Sequence, residues 1–395
     1  MSKGTDGRSQ EKERARATVA RDSARLIELS HRIHTHPELG FEEVRAAAWC
    51  AEALAAGGFD VEAGVGGLAT AFEATIGNGS LVVGICCEYD ALPKIGHACG
   101  HNVIAAAGVG AGLALAPLAD ALGLTVRVLG TPAEEGGGGK ILLLDAGVFD
   151  GICAAMMIHP APAEMVRMPC LAIAHFDVRF TGKEAHASAF PELGVNAADA
   201  LTIGQVAVGL LRQHAKPGDQ VHGIVTNGGA APNIVPGLAE AKFYVRSATL
   251  AGLAQWEPRV RHCFEAGALA TGASVEFVSR CPNYSEFRGD EAIEARYRAN
   301  AESLGRRFPP PPERPLTAST DMANISLAIP AIHPTLDIGS APAVNHQPEF
   351  AAYCVAPPAD QAILDGATAM AWTVIDLASD SSERGRLLGS ALRRS

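Results

Sequence analysis

Good metal ligands recur in this sequence next to apolar segments that have the composition of β-strands. Cys99 and His101 stand two residues apart, between one such segment and a run rich in alanine and glycine. A thiolate and an imidazole are both good zinc ligands, so the pair can bind one metal cluster. The alternative for this pair alone is a buried thiol beside a structural histidine.

Two adjacent carboxylates, Glu134 and Glu135, follow a second apolar segment and precede four glycines. Neighbouring side chains point in different directions, so one carboxylate can bind a metal while the other reaches a water molecule as general base. The alternative is a helix N-terminus, where acidic residues are favourable. A phosphate-binding loop is excluded, because it needs glycine at position 134 and serine or threonine at position 141, where glutamate and isoleucine stand.

Two further histidines have a comparable placement. His159 follows the apolar segment 152–158, and His346 lies in a polar segment just before the last long predicted helix. Either histidine alone is more often a hydrogen-bonded structural residue than a ligand. Because α/β folds place their sites at the ends of strands, the four clusters together predict a metal site built from separate loops.

The elements that must position these residues alternate between strands and helices. Predicted strands cover 69–76, 81–89, 125–130 and 152–158, and predicted helices cover 12–36, 41–56, a segment from about Asn102 and the segment after the glycine run. Strands that are apolar on both faces indicate an α/β fold with a mixed, mainly parallel sheet sandwiched by helices.

The pattern changes near residue 171, where a strand of alternating polarity begins. Further elements are predicted at 196–213 (helix), 220–226 and 238–247 (strands), 252–270 (helix) and 274–279 (strand). Two βαβ-like halves in so short a segment predict a smaller, open-faced α+β sheet inserted in the larger domain. The chain then returns through a helix at 289–304, a loop at 305–316 with five prolines, a strand near 331–339 and a helix at 357–378. We therefore expect a catalytic domain made of residues 1–170 and 285–395, and an inserted domain at 171–284.

Composition and charge exclude several partners. The formal net charge of −11 argues against nucleic acid and against an anionic membrane. Nine cysteines without framework spacing and a charged N-terminus without an apolar core predict a reducing cytoplasm with mostly free thiols. The uncharged segment 103–119 is short for a membrane span and rich in alanine and glycine, so we predict a buried helix there.

An ordered set of motifs spans nearly the whole chain. It comprises HTHPELGFEE (34–43), DALP (90–93), HACGHN (97–102), GTPAEEGGGG (130–139), GKEAHAS (182–188), PNIVP (232–236), STD (319–321) and NHQPEF (345–350). The set resembles the aminoacylase/carboxypeptidase-type di-zinc metallopeptidase family. More narrowly, it is similar to the amidohydrolase branch, which includes auxin-conjugate hydrolases, p-aminobenzoyl-glutamate hydrolase subunits and β-alanyl-lysine-type dipeptidases.

The resemblance implies a hydrolase of amide or peptide bonds that holds two divalent metal ions per chain. Zn2+ is the favoured metal, with Mn2+, Co2+ or Ni2+ as alternatives for the same donors. The implied ligands are Cys99, His101, Glu135, His159 and His346. Glu134 is implied as general base and acid. The segment 88–90 stands where more distant relatives have His-x-Asp, so that ligand histidine is absent and Asp90 is implied to orient a ligand.

The inserted segment resembles the lid of that family, which dimerises. The lid histidine, here His186, reaches the active site of the partner subunit in the family and donates to the oxyanion. Asn233 and Arg246 resemble the lid residues that hold the substrate carboxylate, for which arginine is a natural partner. Without the resemblance, the three residues have simpler roles as a turn residue, a strand-end cap and a surface charge. The resemblance thus implies a homodimer through the inserted domain and a small amide or dipeptide substrate with a free carboxylate.

Three functions fit these residues. The favoured one is hydrolysis of an N-acyl amino acid, a dipeptide or an aminobenzoyl-glutamate-like amide by a metal-activated water, with Glu134 as base. A cysteine hydrolase with Cys99 as nucleophile would leave the glutamate pair and the two later histidines unexplained. A non-catalytic metal-binding scaffold would not need Glu134, since a base is unnecessary for binding alone.

Overall fold

The chain, described here by a computed structural model over residues 3–310 and 317–393, divides into two compact units. The larger unit comprises Met1–Pro169, Phe287–Leu316 and Asp321–Ser395, and the smaller unit comprises Cys170–Glu286 and Thr317–Thr320. Nothing in the sequence pattern had indicated that the short segment Thr317–Thr320 belongs with the smaller unit. Part of the predicted proline-rich loop, residues 311–316, lies outside the described residues.

Strands and helices alternate along the chain. The strands are β1 (Asp60–Ala63), β2 (Phe72–Ile76), β3 (Leu81–Cys87), β4 (Leu124–Gly130), β5 (Ala154–Met156), β6 (His159–Ala161), β7 (Ala172–Thr181), β8 (Gln220–Asn227), β9 (Leu238–Ser247), β10 (Ser274–Ser279), β11 (Ala331–Ile332) and β12 (Thr335–Asp337). The α-helices are α1 (Lys3–His34), α2 (Val44–Ala56), α3 (His101–Leu115), α4 (Gly139–Asp145), α5 (Ala197–Leu211), α6 (Leu250–Thr271), α7 (Glu291–Ser303), α8 (Met322–Ala328), α9 (Pro348–Tyr353), α10 (Pro357–Ser379) and α11 (Ser381–Leu392).

Six strands of the larger unit form one sheet in the order β1-β2-β4-β3-β5-β11. The pairings of β3 with β4, of β3 with β5 and of β5 with β11 are parallel, and those that involve β2 are antiparallel. This is the mixed, mainly parallel sheet that the apolar strands predicted. Cys87 of β3 pairs with Gly130 of β4, so the two strands end at the same level and the loops that follow begin side by side.

Helix α3 passes through the interior of the larger unit and packs against α1, α10 and β3. Among the described residues, His101–Leu118 is the one stretch long and apolar enough to cross a membrane, with a mean hydropathy of 1.4, but 83% of it is buried inside the protein. A Cβ atom at Gly108 would lie 2.5 Å from Sγ of Cys87, so the close approach of helix and strand requires glycine. The packing therefore makes this segment a core helix, in agreement with its alanine and glycine content.

The smaller unit is a four-stranded antiparallel sheet in the order β10-β7-β9-β8, and α5 and α6 pack against it. Strands β7 and β9 pair along their full length, from Ala172 opposite Ser247 to Thr181 opposite Leu238. The core of this unit holds a cluster of aromatic rings from sheet and helix, Phe176, Phe243, Phe264 and Phe277. The strand order is that of two interlocked βαβ units, as the sequence pattern predicted.

Two predicted strands are divided in the structure. The segment predicted as a strand at 152–158 ends at Met156, and His159 begins the separate strand β6, which pairs with β12. The strand expected near 331–339 is likewise divided into β11 and β12. Pro334 lies between these two strands and has no N–H to donate to a continuous ladder, which accounts for the break. The division places His159 outside the six-stranded sheet, at the start of the separate two-stranded sheet formed by β6 and β12.

Candidate metal centre

Cys99 and His101 lie at the N-terminal end of α3. Gly100 between them has a φ of 80°, a left-handed conformation that favours glycine, and it turns the chain into the helix. His101 is completely buried and Cys99 is 7% exposed. The turn therefore directs both donor groups into the protein rather than toward solvent.

The loop after β4 carries Glu134 and Glu135, and buried acidic residues hold it in place. The backbone N–H of Ala133 donates to Glu43 Oε1 at 2.8 Å, and the backbone N–H of Glu135 donates to Asp90 Oδ2 at 2.9 Å. A Cβ atom at Gly139 would lie 1.9 Å from the carbonyl oxygen of Pro132, so the glycine run is what lets this loop fold back on itself.

The structure brings all five predicted ligands into two groups that share Cys99. The donor atoms of Cys99, His101 and His159 lie within 4.8 Å of one another, and so do those of Cys99, Glu135 and His346. Sγ of Cys99 is 3.5 Å from Nε2 of His159, and Oε1 of Glu135 is 3.2 Å from Nε2 of His346. This arrangement suits two cations that share a thiolate, because thiolate, imidazole and carboxylate are all zinc donors.

Hydrogen bonds fix which nitrogen of each buried histidine faces the centre. Nδ1 of His101 lies 2.9 Å from Oδ1 of Asp90, and Nδ1 of His159 lies 2.8 Å from the carbonyl oxygen of Pro160. Each Nδ1 is thereby assigned as the N–H donor, which leaves Nε2 with its lone pair for a metal. Asp90, which the resemblance implied to orient a ligand, contacts both His101 and the backbone of Glu135.

The two adjacent glutamates lie in opposite electrostatic environments. Burial raises the pKa of Glu134 well above its usual value, and the charges of Glu88 and Glu135 add to the effect. Burial also raises the pKa of Glu135, but the hydrogen bond from His346 and the charge of His101 outweigh it and leave the pKa lowered. A pair of carboxyl groups with pKa values pushed apart is the arrangement expected for one ligand and one proton carrier.

Two buried polar atoms support the presence of a cation at this place. Nε2 of His101 and Oε2 of Glu88 lie 3.5 Å apart, both side chains are fully buried, and neither atom has a hydrogen-bond partner within residues 3–310 and 317–393. Buried polar atoms are normally satisfied, so unsatisfied ones call for a ligand. The donor set therefore fits the metal ions that the sequence implied.

The remaining predicted residues lie in the smaller unit, where His186 and Asn233 are neighbours. The backbone N–H of Ala187 donates to the carbonyl oxygen of Asn233 at 3.0 Å, and both His186 and Asn233 are at least partly accessible to solvent. Nδ1 of His186 accepts from the backbone N–H groups of Ser188 and Ala189 at 3.3 and 3.2 Å. The ring is thus held with its other nitrogen, Nε2, as the donor.

Arg246 is placed at the opposite end of the same sheet. Arg246 lies eight positions after Leu238 along extended β9, about 26 Å at 3.3 Å per residue, and Asn233 lies beyond Leu238. The guanidinium donates to Oγ of Ser319 at 2.6 Å and to Nε2 of His222 at 3.3 Å. The structure therefore does not bring Arg246 together with His186 and Asn233 within one copy of this unit.

Sequence reasoning missed four buried charged residues around the centre. They are Glu43, Glu88, Lys140 and Asp321. Asp321 belongs to the STD motif, and Lys140 follows the glycine run. A charged residue inside an otherwise apolar or glycine-rich segment was the sequence feature that could have indicated a buried charge. Their pairing could not be read from the sequence, because up to 181 positions separate the partners.

The chain belongs to Peptidase family M20/M25/M40, whose family profile matches residues 87–371. It is accordingly a hydrolase that acts on carbon–nitrogen bonds. It is 37% identical over 393 residues to a protein named Xaa-Arg dipeptidase from Mus musculus, covering 93% of this chain and 88% of that protein. It is also 35% identical over 289 residues to a p-aminobenzoyl-glutamate hydrolase component from Escherichia coli, covering 67% of this chain and 60% of that one.

Solved structures agree with the fold. An aminobenzoyl-glutamate utilization protein from Klebsiella pneumoniae superposes with a TM-score of 0.72 at 20% identity, covering 91% of this chain and 97% of that chain. A dinuclear metal binding peptidase of the M20 family from Bacillus subtilis superposes with a TM-score of 0.65 at 23% identity, covering 90% and 98%. At these identities the likeness supports the fold alone, and the site rests on the geometry above.

Proposed function

We propose that this chain is a two-metal amide hydrolase that cleaves a dipeptide or an N-acyl amino acid with a free carboxylate. The observation that carries the proposal is the pair of ligand groups that share Cys99, with Glu134 beside them. Five donors from separate parts of the chain converge there, and the next residue to one of them is a second buried carboxylate. A structural metal site needs its ligands only, whereas hydrolysis also needs a base.

Cations bound by these ligands would polarise the substrate carbonyl and lower the pKa of a water molecule. Glu134 takes a proton from that water and later gives it to the leaving amine nitrogen. Asp90 holds His101 in one orientation and tautomer and anchors the backbone of Glu135, so it positions two ligands at once. The donor set of imidazole, carboxylate and a single thiolate favours Zn2+, with Mn2+, Co2+ or Ni2+ as alternatives.

The names of the relatives guide the choice of substrate. The Xaa-Arg dipeptidase and the p-aminobenzoyl-glutamate hydrolase act, by name, on amides of an amino acid that retains its carboxylate. A net charge of −11 is compatible with a cationic product such as arginine. We therefore place dipeptides with a C-terminal basic residue first, followed by aminobenzoyl-glutamate and simple N-acyl amino acids.

We further propose that the smaller unit, at about residues 171–284, is a lid and dimerisation domain. Strand β8 is an edge of its sheet, and α5 exposes an apolar stripe made of Ile203, Val206 and Leu210, with exposed fractions of 37%, 60% and 73%. A second copy would cover this stripe and pair the edge strand. The separation of His186 and Asn233 from Arg246 supports the idea that one active site draws these residues from two different copies.

A cysteine hydrolase is disfavoured by the environment of Cys99. Burial raises the pKa of its thiol well above the usual value, and the charge of Glu135 raises it further. A catalytic thiol needs the opposite shift from positive groups of the protein itself, whereas bound cations would stabilise the thiolate form of a metal ligand. We also propose a reducing cytoplasm as the location of this chain, because its nine cysteines lack the spacing of a disulfide framework.

Metal content and chelation test the proposal directly. The chain is purified without chelator, its metals are counted by elemental analysis, and hydrolysis of dipeptides, aminobenzoyl-glutamate and N-acyl amino acids is followed. We expect about two ions per chain, with activity that is lost on chelation and restored by Zn2+ or Mn2+. Activity that persists after complete removal of metal would overturn the proposal.

A further inference from the structure

Lys140 is a fully buried cation in the middle of the larger unit. Its Nζ lies 2.5 Å from Oε1 of Glu88 and 2.8 Å from Oδ1 of Asp321, and its backbone N–H donates to Oδ2 of Asp321 at 2.9 Å. None of the three side chains is accessible to solvent. None of the three belongs to the predicted ligand set or serves as the proposed base.

The two carboxylates that Lys140 contacts belong to a potential third cation site. Carboxylate oxygens of Glu88, Glu134 and Asp321 lie within 4.8 Å of one another, and all three residues are buried. Three oxygen donors at such spacing suit a hard divalent cation. The ammonium of Lys140 already pairs with two of the three, so a positive charge occupies this carboxylate group without any metal.

We propose that the ammonium of Lys140 takes the place of a metal ion in the Glu88–Glu134–Asp321 trio. The ammonium thereby limits the centre to two divalent ions. Without it, the trio would gather a third divalent ion, and Glu134 would become a ligand instead of a proton carrier. This consequence and the count of two ions rest on the proposed function, whereas the exclusion of an additional ion from the trio does not. Lys140 is thus a positioning residue that acts through Glu88 and Asp321.

The contacts of Glu88 explain why a fixed charge is useful at this place. One oxygen of Glu88 is held by Lys140, and the other, Oε2, faces Nε2 of His101 at 3.5 Å without a hydrogen-bond partner among the described residues. The trio therefore adjoins the predicted ligands directly, and a mobile ion there would compete for them. Burial lowers the pKa of Lys140, but the charges of Asp321 and Glu88 outweigh it and raise the pKa well above its usual value, so the ammonium keeps its charge.

Metal stoichiometry tests this proposal, with Lys140→Met as the variant because methionine removes the charge and keeps a similar length. The wild type and the variant are equilibrated with the same buffered concentration of free Mn2+, and bound metal is counted per chain. We expect the variant to bind one ion more than the wild type. The matched control is Lys140→Met combined with Glu88→Gln, which removes one donor of the trio and should return to the wild-type number. A folded Lys140→Met protein with the wild-type number of ions would overturn the proposal.

Lys140→Met leaves two buried carboxylates without their cation, so the variant is expected to be less stable than the wild type. Thermal unfolding measured at increasing Mn2+ concentrations tests the proposal in that case. An ion that replaces the ammonium stabilises the variant by mass action, so its Tm should rise with Mn2+ more steeply than that of the wild type. A variant that stays unfolded at every Mn2+ concentration, or whose Tm rises only in parallel with the wild type, contradicts the proposal. A wild type that binds no metal would instead contradict the proposed function, so the two failures are distinguishable.

Discussion

The carboxylate of Asp90 lies 2.9 Å from Nδ1 of His101, and neither side chain is accessible to solvent. The other oxygen of Asp90 accepts the backbone N–H of Glu135. One carboxylate thereby orients a predicted ligand on α3 and another predicted ligand on the loop after β4. Burial raises the pKa of Asp90, but the charge and hydrogen bond of His101 outweigh it and keep the pKa lowered, so the carboxylate is ionised in this contact.

Asp90→Asn should weaken metal binding more than it weakens the fold. The amide keeps the size of the side chain, but it removes the negative charge that stabilises His101 and one acceptor oxygen. We expect metal affinity to fall by about 10- to 100-fold, the usual effect of losing a partner of a metal ligand. Competition with a chelator measures this affinity. Asp120→Asn, at an exposed position, is the control and should leave it unchanged; equal affinities in all three proteins would contradict the role of Asp90.

Glu134→Gln should separate metal binding from catalysis. Glutamine cannot carry the proton from water to the leaving nitrogen, so kcat should fall by about 10²- to 10⁴-fold. The metal content should stay at the wild-type value, because the predicted ligands are intact. Glu135→Gln is the contrasting variant and should lose metal together with activity. A Glu134→Gln protein that turns over as fast as the wild type would exclude Glu134 as the base.

The sequence pattern indicated the predicted ligands of the centre but not the buried charged residues that surround them. Cys99, His101 and Glu135 were recognisable because ligand types stand close together at the ends of apolar segments, and hydrophobic periodicity placed the sheet and the helices around them. Pairings such as Lys140 with Asp321 depend on how distant segments meet in three dimensions, which periodicity does not encode. The helices α8, α9 and α11 were not predicted either.

Glu164→Gln should change how stability depends on pH. Burial raises the pKa of Glu164 from 4.5 to about 7. The guanidinium of Arg306, 3.2 Å from the carboxylate, lowers this pKa but does not outweigh burial. The folded chain therefore keeps a proton that the unfolded chain releases between these two pH values, so this residue's contribution to stability decreases as pH rises through that window and stays low above it. Relative to Glu164→Gln, the free energy of unfolding of the wild type should decrease by at most about 3 kcal/mol between about pH 4.5 and about pH 8.

The difference in Tm between wild type and Glu164→Gln, measured at about pH 4.5, 6 and 8, checks this expectation. The Tm of the wild type minus the Tm of Glu164→Gln should be highest at the lowest pH and should decrease as pH rises. Glu62→Gln, an exposed glutamate of β1, controls for the general effect of removing a carboxylate. Profiles of wild type and Glu164→Gln that stay parallel over this range would show that the carboxyl group titrates normally.

Mixed dimers should reveal whether His186 serves the partner's active site. His186→Ala and Glu134→Gln are each expected to be nearly inactive, because one lacks the oxyanion donor and the other lacks the base. In a mixed dimer, the copy that carries His186→Ala retains Glu134 and receives an intact His186 from the copy that carries Glu134→Gln. One of the two sites of such a mixed dimer is complete, so the isolated mixed dimer should show about half of the wild-type activity.

Co-expression of the two differently tagged variants, followed by isolation of the doubly tagged species, provides the measurement. The matched control pairs His186→Ala with the double variant Glu134→Gln/His186→Ala, which offers no intact histidine and should stay inactive. Leu210→Glu on the exposed stripe of α5 should also abolish the recovery, because a charge in the proposed interface disfavours pairing. Mixtures no more active than the sum of the separate variants would restrict His186 to its own chain or remove it from the reaction.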